Sequence, residues 1–232
     1  MFKTRPLPKH LLISETLIRE IGAGILTDGT RLPPEKIMAE QYGVAVGTLR
    51  KALLILEEKG LLKRVQGSGN YIQYKQAVDS IYSHFRLELI KGAGLPKAQI
   101  QDISIAQKPK DAPDFGPSPK AHRIVRLRSL GDIQIALEEI WLDHRFSKNL
   151  RLTDISESLY HFYKESFDLR ISKIEDRLGA SVIPKWTPEG FNMKAGEIAG
   201  YIERVSWDQF DRPAEFSKTW FNPDVVRYVS RF

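Results

Sequence analysis

The sequence predicts an α+β chain in two parts: a small helical module closed by a hairpin, and a larger domain built on a mostly antiparallel sheet with helices. Three observations predict it. Residues 32–72 crowd two short amphipathic helices and a hairpin into one unbroken stretch. Beyond about His84 the apolar period changes from three-to-four residues to two. Charge is also divided unequally: residues 1–75 hold 12 Lys+Arg against 7 Asp+Glu, whereas residues 76–232 hold 23 against 22. The expected boundaries are 1–74 for the first part, 75–83 for a linker and 84–232 for the second, and 232 residues with 42% apolar composition suffice for two ordinary cores.

Leu11, Ile18, Ile21 and Ile25 recur on one face of a first helix expected over residues 8–26, with Thr27-Asp28-Gly29 as its stop. Pro34 suits the first turn of a second helix, where its missing N–H has no intrahelical partner, and Met38, Ala39 and Tyr42 then share a face. Gly43 ends it. A third helix is expected over residues 47–59, carried by Leu49, Ala52, Leu53 and Leu56 and stopped by Gly60, with Thr48, Arg50 and Lys51 on its outer face. Two helices joined by such a short turn make a helix-turn-helix, whose second helix fits a DNA major groove. The hairpin that follows has strands at 61–65 and 71–72 and the tip Gln66-Gly67-Ser68-Gly69-Asn70. Gly67 and Gly69 let the backbone approach a phosphate or enter a minor groove with no Cβ in the way.

The apolar stripe of the third helix would serve any helical module. The basic outer face and the glycine-rich wing are what a module without nucleic acid would not need, and the basic excess of residues 1–75 is what phosphate neutralisation requires. The order L-P-x-E, G-V, T-L-R-x-A-L, E-x-x-G-L and G-x-G resembles the winged-helix domain of the GntR family of bacterial transcription regulators over about sixty-five residues. That resemblance implies double-stranded DNA as a partner, contacted by Lys36, Thr48, Arg50, Lys51, Arg64, Gln66, Gly67, Ser68 and Gly69. Two departures stand out. Ala45 and Val46 occupy positions where the family usually has Ser-Arg, removing a helix N-cap worth about 1 kcal/mol and a common base or phosphate contact. Lys36 replaces the usual arginine, keeping the charge and losing the bidentate fork.

In the second part, residues 100–107 alternate apolar and polar and run into KPKDAPDFGPSPK, a loop with four prolines. Residues 122–130 and 133–142 are β-rich and separated by Gly131-Asp132, a two-residue hairpin signal. A second hairpin is expected from residues 200–207 and 214–221 around the turn 208–213, with a helix over 156–167 and one or two strands within 169–182 between the hairpins. Arg126 and Arg128, two apart on a strand, point to one face and can fork an anion, with carboxylates on the neighbouring strand able to pair with them or with ligand donors. Ordinary cross-strand ion pairs such as Arg126 with Glu138 account for the same pattern.

Arg126-Leu-Arg128, Ala-Leu-Glu138-x-x-Trp141, Ser158-Leu-Tyr160 and Arg212-Pro-Ala-Glu215-Phe-Ser217, in this order after a winged helix, resemble the UTRA effector-binding domain of the HutC-like branch of that family. The resemblance implies a chorismate lyase-like fold around a small, often anionic effector such as a sugar phosphate or organic acid. Arg126 and Arg128 would meet its phosphate or carboxylate, Ser158 and Tyr160 would donate hydrogen bonds, and Glu138 and Glu215 would hold hydroxyl or amine groups. Phe221 stands where the family commonly has tyrosine, so one hydroxyl contact is missing.

An enzyme on a chorismate lyase-like domain is the alternative from another class, since a fold does not settle a function. No motif favours it. The five histidines (His10, His84, His122, His144 and His161) lack metal-ligand spacing, and there is no G-x-S-x-G or phosphate-loop pattern. Zero cysteines exclude disulfides, Fe–S clusters and thiolate chemistry. No catalytic residue, metal or cofactor is therefore expected. A DNA-packaging protein, the third reading, would not need a second domain with a polar pocket. With no run of eighteen apolar residues and no charged-then-apolar leader, neither a membrane span nor a signal peptide is expected, and the chain reads as cytoplasmic. A single winged helix touches few base edges, so a homodimer joined through the larger domain is expected, with residues 74–83 as the hinge.

Overall fold

The computed structural model of the protein describes residues 7–73, 82, 84–92, 94–148, 150–151 and 155–230. The expected linker over 75–83 and hinge over 74–83 therefore lie, apart from Tyr82, outside the described residues. The chain divides into two compact units. One comprises Leu7–Leu87 with Gly94–Pro96 and the end from Tyr228; the other comprises Glu88–Ala93 and Lys97–Arg227. Residues 84–87, expected to open the second domain, thus belong with the first, where Phe85 packs beside Leu7, Leu12 and Tyr82.

The first unit contains α1 (Lys9–Gly22), α2 (Glu35–Gln41), α3 (Val46–Glu58), β1 (Leu62–Val65) and β2 (Gly69–Ile72). Helix α1 stops four residues short of the expected Leu26. Gly24 adopts φ 69° and the N–H of Ile25 turns back to the Glu20 carbonyl at 2.9 Å, so the helix closes on a left-handed glycine before the Thr-Asp-Gly signal. Ile25 consequently leaves the buried face and is 42% exposed, while Ile13 and Leu17 join Ile18 and Ile21 in the core. Met38 and Ala39 from α2, Leu49, Ala52, Leu53 and Leu56 from α3, and Leu61, Leu62 and Ile72 from the hairpin complete it. Residues 29–32 run beside β2, with Leu32 N–H donating to the Asn70 carbonyl at 2.9 Å and Arg31 bridging Tyr71.

The second unit is an antiparallel sheet with, among the described residues, one α-helix and a 3-10 turn at His144–Phe146. Strands β4 (Pro96–Gln107), β5 (Lys120–Leu130), β6 (Ile133–Asp143), β9 (Pro213–Phe221), β8 (Ile198–Trp207) and β7 (Lys173–Val182) lie side by side in that order. Strands β5 and β6 form the hairpin signalled by Gly131-Asp132, with Gly131 at φ 60°, and β8 and β9 form the second. A single strand, β7, occupies the stretch where one or two were expected. Short strands β3 (Leu87–Leu89) and β10 (Val226–Tyr228) form a separate pair.

The two faces of the large sheet differ. On one, Val125, Leu127, Leu137 and Trp220 pack against Ile183, Phe191 and Met193, and Trp141, Val205 and Phe216 pack against Phe115. Phe115 comes from the proline-rich loop and is fully buried. The loop is drawn down by the buried Asp143 carboxylate, which accepts from Lys108 Nζ at 2.6 Å and from Ser118 N–H at 3.1 Å. The other face is polar along its middle and is partly roofed by α4 (Leu159–Phe167), whose Leu159, Phe162 and Tyr163 are buried against Ile124, Ile140 and Leu142.

Candidate nucleic-acid interface and ligand site

Burial of Leu49, Ala52, Leu53 and Leu56 turns α3 so that Arg50 and Lys51 face solvent and Thr48 is half-buried. Its N-cap is Ala45, which makes no side-chain cap, so the departure seen in the sequence leaves the helix start bare. Lys36 is exposed on the first turn of α2. The wing tip is a tight turn closed by Ser68 N–H donating to the Val65 carbonyl at 3.0 Å, with Gly67 at φ 73° and Gly69 at φ 132°, both in the region that favours glycine. Gln66, Gly67 and Gly69 are exposed, and the Ser68 hydroxyl meets the Tyr71 hydroxyl at 2.7 Å.

Three residues not counted as DNA contacts from the sequence join the wing, Glu35 and Asn70 having entered there only as the acid of L-P-x-E and the end of the tip. Arg31 lays its guanidinium along the tip, Nη2 donating to the Ser68 carbonyl at 2.5 Å, and a Cβ on Gly69 would lie only 3.3 Å from its Nε. Glu35 accepts from Arg50 Nε at 2.7 Å and stands 3.8 Å from Arg64 Nη1, while Arg64 Nε binds Glu57 at 2.8 Å. Asn70, buried on β2, helps to hold the Glu35 carboxyl low. Arg31 falls outside every helical or strand period, and Glu35 reads locally as an ordinary first-turn acid, so only their meeting in space reveals them. With the wing they line a cleft of about 400 Å³.

In the second unit, register sets the site. Arg126 stands opposite Glu138, and Glu138 opposite Thr219; one row along, Arg128 aligns with Ala136, Phe221 and Gly200. In the other direction Ile140, Ser217, Arg204 and Asp176 form the next row, and Leu142, Glu215 and Ser206 the one after. The structure thus brings Arg126, Arg128, Glu138, Glu215 and Phe221 to one face, with Tyr160 reaching it from α4. Arg126 Nε donates to Glu138, and Arg128 Nε lies 4.0 Å from the same carboxylate. The cross-strand ion pair considered from the sequence does form. Burial pushes the Glu138 carboxyl up, but the Arg126 and Arg128 charges outweigh it and hold the group below the usual carboxylate range.

Two expected ligand residues have other work. Ser158 caps α4, its Oγ accepting from His161 N–H at 3.4 Å, because the helix starts at Leu159. Glu215 is buried beneath α4, accepting from Tyr163 at 2.7 Å, Tyr160 at 3.2 Å and Ser206 at 3.3 Å, so its lone pairs serve the fold before any ligand. Arg204 and Asp176 were missed. Their bidentate pair, 2.6 and 2.7 Å, joins β8 to β7 on the polar face. Nothing short of the β7–β8 register would have aligned them. Phe221 fills the space over Gly200, where an added Cβ would collide with its ring. Among the described residues no group of three or more His, Cys, Asp or Glu could hold a metal, and no helix is long and apolar enough to cross a membrane.

Residues 11–72 match the model of bacterial regulatory proteins of the gntR family, and residues 103–227 match that of the UTRA domain. The chain is 49% identical over 225 residues to the HTH-type transcriptional regulator SmoD of Agrobacterium fabrum, covering 97% of this chain and 96% of that one. The chain belongs to the GntR family. Its UTRA domain places it in the HutC-like architecture. At 25% identity this GntR protein is also similar to the repressor NagR of Bacillus subtilis, over 98% of this chain and 96% of the relative, and to the repressor MngR of Escherichia coli, over 96% and 95%. Its fold is shared with YydK from Bacillus subtilis, at TM-score 0.54 and 20% identity over 97% of this chain and 100% of that one. It is shared as well with the ligand-binding domain of a GntR-family protein from Bordetella bronchiseptica, at TM-score 0.57 and 17% identity over 63% and 96%. The GntR chain is a transcription regulator with a DNA-binding and an effector-binding domain, and not an enzyme, which sets aside the alternative drawn from the fold.

Proposed function

We propose that this protein is a cytoplasmic repressor that binds a pseudo-palindromic operator as a homodimer joined through its UTRA domain and leaves it when a small anionic metabolite binds beside Arg126 and Arg128. The single observation supporting the effector class is Arg126. It is 9% exposed, its Nε is given to Glu138, and its Nη1 is buried with no hydrogen-bond partner among the described residues. A buried donor left unmade costs about 1–3 kcal/mol, which an anion accepting there recovers. NagR and MngR, both named repressors, support the direction of control.

A ligand can release DNA only by binding one arrangement of the dimer better than the other, and the coupling is reciprocal. The test begins with a thermal-shift screen over sugar phosphates, amino-acid catabolites and organic acids. A compound that stabilises the protein is then titrated into the protein–operator complex and followed by anisotropy. Operator affinity should fall by a factor of about 5 to 150, and operator should weaken the ligand by the same factor. A stabilising ligand that leaves operator affinity unchanged would rule the proposal out.

A further inference from the structure

Glu35 stands where side chains from α3, β1 and β2 converge. Arg50 comes from the exposed face of α3 and donates through Nε at 2.7 Å; Arg64 comes from β1 with Nη1 at 3.8 Å; and the buried Asn70 comes from β2. Arg50 remains 64% exposed in this arrangement. Because Glu35 takes only the Nε of Arg50, the outer edge of that guanidinium is left for a phosphate or the O6/N7 edge of a guanine. We infer that Glu35 is a positioning residue for DNA recognition: its carboxylate holds Arg50 of α3 and, 3.8 Å from Arg64 Nη1, adds its charge to the 2.8 Å Glu57 contact that fixes Arg64 on the wing, so that the groove-reading helix and the wing meet DNA as a preset pair. This inference rests on the reading of α3 and the wing as the DNA-binding surface.

A carboxylate beside approaching phosphates is repelled by them, so on charge alone its removal should tighten binding. Orientation argues the opposite way. An arginine loses much rotamer freedom when it is fixed on DNA, and a partner that fixes it beforehand removes that cost from the binding step. The Arg50 hydrogen bond, aided by Asn70 and Arg64, outweighs burial and holds the Glu35 carboxyl below its ordinary range, which keeps it charged at neutral pH. An ordinary surface ion pair would contribute little to either stability or recognition. The two possibilities therefore predict opposite signs for one substitution.

The experiment uses the full chain, an operator duplex recovered by selection from a random library, and a random duplex of equal length, with anisotropy titrations across a salt series. Glu35→Ala should weaken operator binding by about tenfold and leave random DNA unchanged or tightened, so that the specificity ratio falls. Glu35→Gln, which still offers an oxygen to Arg50 Nε, should lie between wild type and alanine. Combining Glu35→Ala with Arg50→Ala should cost clearly less than the sum of the two single losses, because Glu35 acts mainly through Arg50. Operator binding by Glu35→Ala as tight as wild type or tighter, with Arg50→Ala weakened, would overturn the positioning role and leave the DNA-reading surface standing. Arg50→Ala with unchanged operator affinity would overturn the surface itself, and the positioning role with it.

Discussion

The Tyr163 hydroxyl donates to Glu215 Oε2 at 2.7 Å across a space with almost no solvent, Tyr163 being fully buried and Glu215 2% exposed. The bond fastens α4 to β9 over the polar face of the sheet. Burial pushes the Glu215 carboxyl up, and the Tyr163 hydrogen bond and the Arg126 charge only partly oppose it, so its folded value stays above the ordinary one. Between those two values the folded protein holds a proton that the unfolded chain releases, and stability falls as pH rises across that window. Glu215→Gln carries no such proton. Urea unfolding at a series of pH values should therefore show the variant gaining on wild type as pH climbs from about 4.3, then levelling off. A pH-independent difference would mean that Glu215 titrates alike in both states.

The wing supplies a steric prediction. Gly69 sits at φ 132°, and any side chain there would press toward Arg31 Nε. Gly69→Val should strain the turn by about 1–3 kcal/mol and move Arg31 off the Ser68 carbonyl. With the tip in its proposed role against the DNA backbone rather than the bases, affinity for operator and for random DNA should drop together in parallel titrations. A loss confined to the operator would instead assign base reading to the wing.

The proposed control runs through Arg128, whose side chain is 4% exposed beside Glu138. Arg128→Ala should leave ligand-free operator binding in place and abolish the response to the effector, giving a repressor that cannot be induced. Anisotropy of the operator complex during ligand titration, for wild type and variant in parallel, measures this directly. Release of DNA at the same ligand concentration by both proteins would make Arg128 a cross-strand structural partner only.

Much of this protein is legible in local chemistry. The stop of α3 before Gly60 and the β5–β6 hairpin at Gly131-Asp132 follow from backbone freedom, and the buried stripe Leu49, Ala52, Leu53, Leu56 and the shared face of Arg126 and Arg128 follow from period alone. Such features depend on neighbours within a turn or two, which is why a linear chain displays them. The closure of α1 at the left-handed Gly24 and the capping of α4 by Ser158 are local signals that the sequence reading passes over, whereas a distant element decided for Glu215, which accepts from Tyr163 of α4. The pairing of Arg204 with Asp176 and the gathering of Arg50, Arg64 and Asn70 around Glu35 belong to the same class. Register and helix docking bring these groups together from positions far apart in the chain. Their partners, burial and charge state are properties of that shared space, and no spacing along the sequence encodes them.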